Sequence, residues 1–304
     1  MNGIKKVSQV LLYRVVSLFL VLAVSSCQTG SKKSEQTSNE PVDFSQISII
    51  DAHSHTTPNP ELRDQKFTDA QIASAYLKEM REAGVAASVA HSYDMSKGYI
   101  PLEKENVTHC AGVRQKIDLR AIENGLKSGK FKCVKIYLGY VYRYAYDSEY
   151  KKIYRIAAKY QVPVVFHTGD TYDANGKLKY ADPLTIDEVA VEFRNVNFVI
   201  AHCGYPWIES GAEVAYKNAN VFLDTSAFLI GDISKLPPAQ VEEYVVKPLK
   251  WVFGYLENPE KLMFGTDYPL SRVRPYLEAV KHAIPPQHWK AVFHDNAARV
   301  FKIN

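Results

Sequence analysis

Two histidines that follow the first apolar segment have a spacing that suits metal binding. His53 and His55 are separated by one residue, and Asp51 comes shortly before them. Because residues i and i+2 of an extended segment project to the same side, the two imidazoles can approach one ion. Such pairs also occur by chance in loops, where histidines satisfy ordinary hydrogen bonds. The interpretation therefore depends on what lies at equivalent positions elsewhere.

Further polar side chains share one position, at or just after the carboxyl end of an apolar run. They are His91, His167, His202, Asp224 and Asp267, while Lys135 lies within the fourth such run. Parallel strands of a barrel all end on the same face, where catalytic groups gather, so residues far apart in sequence would converge there. Nine histidines placed at random would not favour strand ends. The pattern predicts one site built from several strands.

The elements that must position these residues alternate regularly from residue 46 onward. Strand candidates are 47–51, 85–91, 107–113, 133–137, 162–167, 198–202, 221–224 and 262–266. Helical patterns cover 69–83, 119–129, 149–160, 183–194, 207–218, 238–256 and 274–283, with a final helix at about 286–301. The strands are rich in Val and Ile and mostly lack polar alternation, as expected of parallel strands covered by helices.

This alternation predicts an α/β fold, a (β/α)8 TIM barrel that forms a single domain at residues 46–304. An open, doubly wound sheet is the main competitor. That fold usually carries a Gly-rich phosphate-binding turn after its first strand, and here two histidines occupy that place. The barrel is therefore the favoured architecture.

The composition is that of an ordinary globular protein, with 46% hydrophobic and 23% charged residues. The formal charge of +4 is raised by Lys5, Lys6 and Arg14, which lie in a segment that we predict to be removed. Subtracting these three from 37 basic residues leaves 34 against 33 acidic ones. A nearly balanced charge predicts neither nucleic-acid binding nor a basic membrane-binding surface.

The amino terminus has the pattern of a secretion signal at residues 1–27. Two lysines precede the apolar run 15–24, which as a helix would rise only about 15 Å, half of the ~30 Å hydrocarbon core. Val24-Ser25-Ser26-Cys27 resembles a bacterial lipobox, whose cysteine becomes the lipidated first residue. The alternative is an ordinary cleaved signal with an accidental cysteine. The lipobox predicts a lipid-anchored protein of the cell envelope, in the outer membrane if the host has one.

Residues 28–45 are polar and predict a flexible tether between this anchor and the barrel. Three cysteines then remain, Cys110, Cys133 and Cys203, without a CxxC pair. Small buried apolar side chains are their expected role. A bridge between Cys110 and Cys133 stays open for an oxidising compartment.

Several segments in order resemble one family. They are IIDAHSH (49–55), CVKIY (133–137), PVVFHTG (163–169), FVIAHCG (198–204), MFGTDYP (263–269) and NAARVF (296–301). They are similar to the amidohydrolase superfamily, in the amidohydrolase-related branch that also contains decarboxylases and lactonases. The resemblance covers roughly residues 47–302.

By this resemblance, the metal ligands would be His53, His55, His167 and Asp267. Neutral imidazoles and a carboxylate suit Zn(II), with Mn(II), Fe(II) or Co(II) as alternatives, and one ion is favoured over two. The metal would lower the pKa of a bound water towards about 7. Asp267 would take the water's proton and pass it to the leaving group. His202 would donate a hydrogen bond to the substrate oxygen that becomes negative, or would bind a second metal.

Lys135 has three candidate roles. In binuclear relatives a carboxylated lysine near this place bridges two metals. Its ammonium could instead hold a substrate carboxylate, or it could be structural. Asp224 could orient His202 or another ligand, or only cap a loop. His91 is a weaker candidate for lining the pocket.

Arginines and tyrosines after the strands could bind substrate. Arg143, Arg272 and Arg274 could hold a carboxylate in bidentate fashion, although solvated surface arginines are commoner. Seven tyrosines could line a pocket or merely pack a long loop and its helix. They are Tyr137, Tyr140, Tyr142, Tyr144, Tyr146, Tyr150 and Tyr154.

These observations predict a metal-dependent hydrolase that cleaves an amide, ester or lactone of a small molecule. The first alternative is a metal-dependent, non-oxidative decarboxylase. Decarboxylases of this branch are usually cytoplasmic, so the export signal argues against it. The second is a tethered metal- or ligand-binding lipoprotein without turnover, which would need neither Asp267 nor His202 as acid–base groups. The sequence leaves a homo-oligomer open.

Overall fold

The computed structural model describes residues 43–58, 65–95 and 97–303. The predicted signal peptide, Cys27 and most of the tether lie outside the described residues. Pro41–Asn304 forms one compact unit. Phe44, which the sequence assigned to the tether, already packs edge-on against Trp289 and Phe293, with ring centroids 5.1 and 5.0 Å away. Among the described helices, none is long and apolar enough to cross a bilayer.

Eight parallel strands form one sheet in the order of the sequence, from β1 to β8. They are β1 Ile49–Ser54, β2 Val85–His91, β3 Val107–Val113, β4 Cys133–Tyr137, β5 Val164–His167, β6 Phe198–Ile200, β7 Val221–Asp224 and β8 Leu262–Met263. The predicted barrel is confirmed, and the bounds of β2, β3, β4 and β7 agree with the prediction. The first strand runs three residues further than predicted, so His53 lies inside it.

Backbone hydrogen bonds between β1 and the segment after β8 nearly close the barrel. The amide of Ala52 donates to the carbonyl of Phe264 at 2.8 Å, and that of Asp267 donates to the carbonyl of His53 at 2.7 Å. Further along, the amide of His55 donates to the carbonyl of Tyr268 at 2.6 Å. This seam fixes Asp267 beside His53 of β1 and His55, which directly follows that strand.

Helices alternate with the strands and cover the barrel. They are α1 Asp69–Ala83, α2 Leu119–Lys127, α3 Ser148–Tyr160, α4 Thr185–Glu192, α5 Ile208–Lys217, α6 Pro238–Val241, α7 Lys247–Leu256, α8 Val273–Ala283 and α9 Asn296–Phe301. The first helix illustrates how local sequence sets their ends. Thr68 and Gln71 form a reciprocal capping box at its start, and Gly84 ends it with a φ of 77°.

Side chains alternate between two cores along each strand. In β4, Val134 and Ile136 face the helices, while Cys133 faces the barrel interior. The lower interior is apolar, and it is covered by the last helix through Val300 and Phe301. The barrel is therefore a packed core from its floor upward, and polar groups begin only near its mouth.

The lower interior also contains a disulfide between neighbouring strands. Cys110 of β3 and Cys133 of β4 are register partners, their Cα atoms are 4.3 Å apart, and both are fully buried. The sequence left this pairing open, because only the strand register brings the two cysteines together. Cys203 is a free, buried thiol.

Candidate active site

The polar residues predicted at strand ends converge at the mouth of the barrel. One cavity of about 260 Å3 is lined by His53, His55, Lys135, His167, His202 and Asp267, together with residues from the loops. Asp224 and His91 are buried and approach these groups from behind. The predicted convergence is therefore observed, and the geometry shows what each group can do.

Three of the predicted ligands form one compact group. Asp267 Oδ1 lies 3.1 Å from His55 Nε2 and 3.5 Å from His53 Nε2. All three side chains are buried. Their ligand atoms lie within 4.8 Å of one another, which is close enough for one ion to contact them all. Two imidazoles and a carboxylate are a donor set typical of a catalytic divalent metal.

Hydrogen bonds fix the tautomers of these two histidines. His55 Nδ1 lies 2.7 Å from the carbonyl oxygen of His91, and because a carbonyl only accepts, Nδ1 carries the proton. His53 Nδ1 donates in the same way to Asp224 Oδ2 at 2.8 Å. Both Nε2 atoms therefore present lone pairs to the cavity. Burial also lowers the pKa of His53, which keeps its imidazole neutral and able to bind a metal.

His167 lies beside this group and faces His202. Its Nδ1 is 3.2 Å from His202 Nε2, and its Nε2 is 2.9 Å from the carbonyl oxygen of Asp170. The carbonyl accepts, so the His167 proton is on Nε2 and the lone pair of Nδ1 faces inward. Burial lowers the pKa of His167 to about 3. The structure does not bring His167 into the three-residue group, so its role as a ligand stays a prediction.

The tautomer of His202 follows from a chain of hydrogen bonds that ends on Asp224. Ser226 Oγ donates to Asp224 Oδ1, so its oxygen is left to accept from His202 Nδ1 at 2.8 Å. His202 Nε2 therefore also carries a lone pair, and it faces that of His167. Two such lone pairs 3.2 Å apart repel each other unless a cation lies nearby.

The four imidazoles thus share one arrangement. The outer nitrogen of each donates to an acceptor, and the inner nitrogen faces the same buried region. Neutral imidazoles with oriented lone pairs are what a divalent metal requires of histidine ligands. The residues of the barrel mouth therefore fit a divalent cation.

Asp224 does more than the sequence suggested. Besides accepting from His53, it accepts from the backbone amide of His202 at 3.0 Å and from the amide of Ser226 at 3.1 Å. One buried carboxylate therefore holds two imidazoles in position, one directly and one through Ser226. Its predicted positioning role concerns His53 as much as His202.

Lys135 points into the same region from β4. Its ammonium lies 3.2 Å from His53 Nε2, to which it can donate. Burial lowers the pKa of Lys135 to about 8, and the charges of Asp224 and Asp267 oppose that shift. The lone pair of His53 cannot serve both Lys135 and a metal. An ion at His53 therefore requires Lys135 to turn away, lose a proton or be modified.

Two further buried residues support the group without lining the cavity. The ring of His91 lies 4.3 Å from that of His53, and burial lowers its pKa. Asp51 accepts from the amide and hydroxyl of Thr266, at 3.1 and 2.6 Å, across the seam of the barrel. Burial raises the pKa of Asp51 to about 7. Its role is to join the ends of β1 and β8 beside the site.

Left-handed backbone is concentrated at the mouth. His202, Cys203, Ala227 and Asp267 have φ between 49° and 63°. The other non-glycine residues with positive φ in the described part of the chain directly follow helices, where a left-handed residue is a common cap. They are Asn106, Gln161, Glu257 and Lys302. Away from such caps each left-handed residue costs about 1–3 kcal/mol. The fold therefore accepts strain where the two predicted catalytic residues lie.

The loops complete the cavity with residues that sequence reasoning had missed. Arg114 and Tyr93 line it, together with Tyr172 and Asp173. Arg114 directly follows Val113, the last residue of β3. Its place at the end of a strand is the signal by which the sequence could have indicated it.

The three arginines that the sequence proposed are directed elsewhere. Arg272 pairs with Glu79 of α1 at 2.9 Å, and Arg274 donates to the carbonyl of Glu82. Arg143 does not line the cavity, and its charge acts on the hydroxyl of Tyr150 instead. Loop position alone did not reveal these partners, because they belong to neighbouring helices and buried groups.

The tyrosine-rich segment divides into three sets. Tyr137 and Tyr140 line the cavity, as predicted. Tyr142, Tyr144 and Tyr146 form ring contacts outside it, where Tyr180 joins them. Tyr150 and Tyr154 are fully buried in α3. Both interpretations of the segment therefore apply, each to different residues.

The comparisons with known proteins agree with this architecture. A family model described as Amidohydrolase matches residues 111–303. No curated protein matches the chain significantly. Among solved structures, the chain is similar to an uncharacterized TIM-barrel protein from Bordetella bronchiseptica, with 17% identity, a TM-score of 0.61, and coverage of 84% of this chain and 98% of that one.

Two similar enzymes differ in the reaction that they are named for. One is a probable 2-pyrone-4,6-dicarboxylic acid hydrolase from Acinetobacter baumannii, with citric acid bound. It has 14% identity, a TM-score of 0.59, and coverage of 84% and 100%. The other is 5-carboxyvanillate decarboxylase from Novosphingobium aromaticivorans, in complex with manganese and a nitrobenzoic acid. It has 13% identity, a TM-score of 0.57, and coverage of 85% and 97%. Likeness at this level establishes the fold and leaves the reaction open.

Proposed function

This chain belongs to the amidohydrolase family, and we propose that it is a metal-dependent hydrolase that cleaves an amide, ester or lactone of a small molecule. The observation that carries the proposal is the set of four imidazoles at the barrel mouth. Their outer nitrogens are all held by acceptors, so their inner lone pairs meet beside the carboxylate of Asp267.

His53, His55 and Asp267 would hold the ion. His167 would join them as a ligand through Nδ1, and His202 Nε2 is the atom that would bind a second ion. Zn(II) and Mn(II) both accept imidazoles with a carboxylate, and we favour one ion, with zinc as the first candidate. When bound, the ion would lower the pKa of a water in the cavity and polarise the substrate carbonyl.

Asp267 is suited to move the proton of the attacking water. It lines the cavity, and its Oδ1 faces the Nε2 lone pairs of His53 and His55, where the ion would bind. Its Oδ2 would accept a proton from water and return it to the leaving group. With Oδ1 bound to the ion, the carboxylate would keep one orientation and could serve both steps.

His202 would stabilise the substrate oxygen that becomes negative. With the tautomer that Ser226 imposes, Nε2 has no proton to donate. Donation requires the other tautomer, in which Nε2 has taken a proton from water, Nδ1 has released its proton to water, and the Ser226 hydroxyl has turned from Asp224 to donate to Nδ1. This exchange of protons with water, together with the hydroxyl rotation, would convert His202 from a metal ligand into a hydrogen-bond donor.

We also propose that residues 1–27 export the chain and that Cys27 is its lipidated first residue. The support is the lysine-flanked apolar run that leads into the lipobox. Expression of the full chain and of its Cys27→Ala variant in a bacterial host tests this proposal by mass spectrometry of the membrane fraction. A mature chain that begins at Cys27 without added acyl mass would contradict it.

The reaction is tested with two kinds of substrate. The purified chain, loaded with Zn(II) or Mn(II), is incubated with lactones, aryl esters and N-acyl amino acids. A pH indicator in weak buffer detects the acid that hydrolysis releases. The same protein is assayed against hydroxybenzoic acids with detection of CO2. The hydrolase proposal expects acid release with the first set. Release of CO2 alone would select a decarboxylase, and no turnover by a metal-loaded, folded chain would select a binding protein.

A further inference from the structure

The cavity contains a cation for which the proposed hydrolysis gives no role. Arg114 is half-buried at the end of β3, and its guanidinium carbon lies 5.4 to 5.6 Å from the ring centroids of Tyr93, Tyr137 and Tyr140. We infer that Arg114 determines specificity by binding a carboxylate of the substrate. The inference rests on the proposed function in that it concerns the same cavity.

The neighbours of Arg114 leave its hydrogen-bond donors available. Its contacts are with aromatic rings, which attract the charge but do not accept the in-plane N–H bonds. Within the part of the chain that the structure describes, no carboxylate lies within 4.0 Å of the guanidinium. Arg272 differs, because Glu79 occupies its guanidinium. Arg114 can therefore donate two hydrogen bonds to a carboxylate from outside the protein.

Asp173 is the acidic residue that lines the cavity on the same side. Its pKa is lowered mainly by hydrogen bonds from Asn175, and the charge of Arg114 adds a smaller effect. Asp173 Oδ1 accepts from the amide and from the side chain of Asn175, at 2.9 and 3.0 Å. Oδ1 of this carboxylate is therefore engaged by its own loop, and Asp173 forms no ion pair with Arg114 at 4.0 Å or less.

The tyrosines connect Arg114 to the metal-binding group. The ring of Tyr93 stacks on that of His55 with centroids 5.7 Å apart, and the ring of Tyr140 lies 4.7 Å from that of His167. Each of these rings thus contacts both Arg114 and a predicted ligand. The guanidinium and the imidazoles therefore share tyrosine neighbours within one cavity.

This geometry specifies a class of substrate. A molecule that contacts both Arg114 and the imidazoles places its reacting group at the imidazoles and a carboxylate at the guanidinium. Flat, unsaturated molecules pack best between tyrosine faces. A cavity of about 260 Å3 holds a single ring with its substituents. The inferred substrate is a small planar acid whose carboxylate is distant from the bond that reacts.

Binding of two isosteric probes tests the role of Arg114. Isophthalate and 3-carbamoylbenzoate have the same shape, but the second replaces one carboxylate with a neutral amide. Calorimetry on the Mn(II)-loaded chain should give isophthalate the higher affinity by about tenfold or more, because a charge-assisted pair is exchanged for a neutral contact. Arg114→Met should remove that difference, and Arg114→Lys should keep part of it.

The matched control is Arg274→Met, which removes an arginine outside the cavity. This variant should keep the preference of the unmodified chain for isophthalate over 3-carbamoylbenzoate. Equal loss of affinity for both probes in Arg114→Met, with an unchanged unfolding midpoint, would overturn the inference and leave Arg114 a packing residue. Failure of isophthalate to bind the unmodified chain would overturn it as well.

The same experiment separates this inference from the proposed hydrolysis. Binding that depends on Arg114 in a chain without hydrolase activity would support the carboxylate site and contradict the reaction. Hydrolysis with equal rates for acidic substrates and their amides, in both the unmodified chain and Arg114→Met, would support the reaction and contradict the carboxylate site.

Discussion

The upper and lower halves of the barrel interior are built by the same strands and have opposite chemistry. In β4, Cys133 of the apolar floor and Lys135 of the site are two positions apart. In β7, Phe222 and Asp224 are also two positions apart, and the same step in β5 leads from Val165 to His167. Since residues i and i+2 face the same side of a strand, one alternation pattern supplies both regions.

The difference shows how the barrel divides its tasks. The lower half is close-packed and cross-linked, so substitutions there should reduce stability. The upper half gathers buried polar groups, imidazoles with facing lone pairs and left-handed backbone, which stabilise the fold little. Substitutions there should reduce metal binding and activity. Substitutions at two positions of one strand that are two residues apart can therefore show whether the lower position affects stability and the upper one affects function.

The largest effect on function is expected from Asp267→Asn. The variant loses a predicted metal ligand and the predicted proton acceptor together. Removal of a general base costs about 10²- to 10⁴-fold in rate. We expect kcat/KM to fall at least that far while circular dichroism and the unfolding midpoint stay close to those of the unmodified chain.

Asp295→Asn is the control for that variant, because Asp295 is an exposed partner of Lys290 outside the cavity. It should keep full activity. Equal activity of both variants on the substrate that the unmodified chain cleaves would remove Asp267 from the mechanism.

The largest effect on stability is expected at the floor, from Phe222→Ala. Phe222 is buried in the apolar floor of the barrel. Truncation of a buried phenylalanine costs about 3–5 kcal/mol, since apolar contacts are lost and a cavity remains. Urea unfolding should report this loss, while the folded variant keeps its metal and its kcat. A loss of bound metal without a loss of stability would contradict the division into halves.

The disulfide of the floor should give a somewhat smaller effect. Closing a loop with a sequence separation of 23 residues stabilises a fold by about 3 kcal/mol, through restriction of the unfolded chain. Unfolding in the presence of reductant should show a loss of that order. The double variant Cys110→Ala/Cys133→Ala is the control, and reductant should not change its stability. An unmodified chain that is equally stable with and without reductant would rule out this contribution.

A smaller change is expected from Asp224→Asn, two residues above Phe222. The carboxylate accepts from His53 Nδ1, and loss of such a partner lowers metal affinity by about 10- to 100-fold. Competition with a chelator measures the affinity. If the affinity is unchanged and only the unfolding midpoint falls, Asp224 belongs with the structural half.

The sequence was sufficient to predict the barrel and the convergence of its strand ends. Eight apolar runs with helices between them leave few arrangements, and a closed barrel brings all strand ends to one face. His53, His167 and Asp267 were found in this way. The result follows from periodicity and position, which are both encoded locally.

The finer features depend on register and backbone, which the sequence does not reveal. The pairing of Cys110 with Cys133 requires the alignment of β3 against β4. The tautomers of His55 and His167 are set by the carbonyls of His91 and Asp170, and every residue offers a carbonyl. Such acceptors have no signature in residue types, so the orientation of the lone pairs appears only in the structure.

We propose above all that the barrel mouth binds a divalent metal through His53, His55 and Asp267. This binding can be measured by elemental analysis of the purified chain after dialysis. We expect about one equivalent of a divalent transition metal per chain, and loss of that metal in a folded His55→Ala variant. If a folded chain retains no metal after exposure to Zn(II) or Mn(II), or if the His55→Ala variant retains all of it, these residues do not form a metal site.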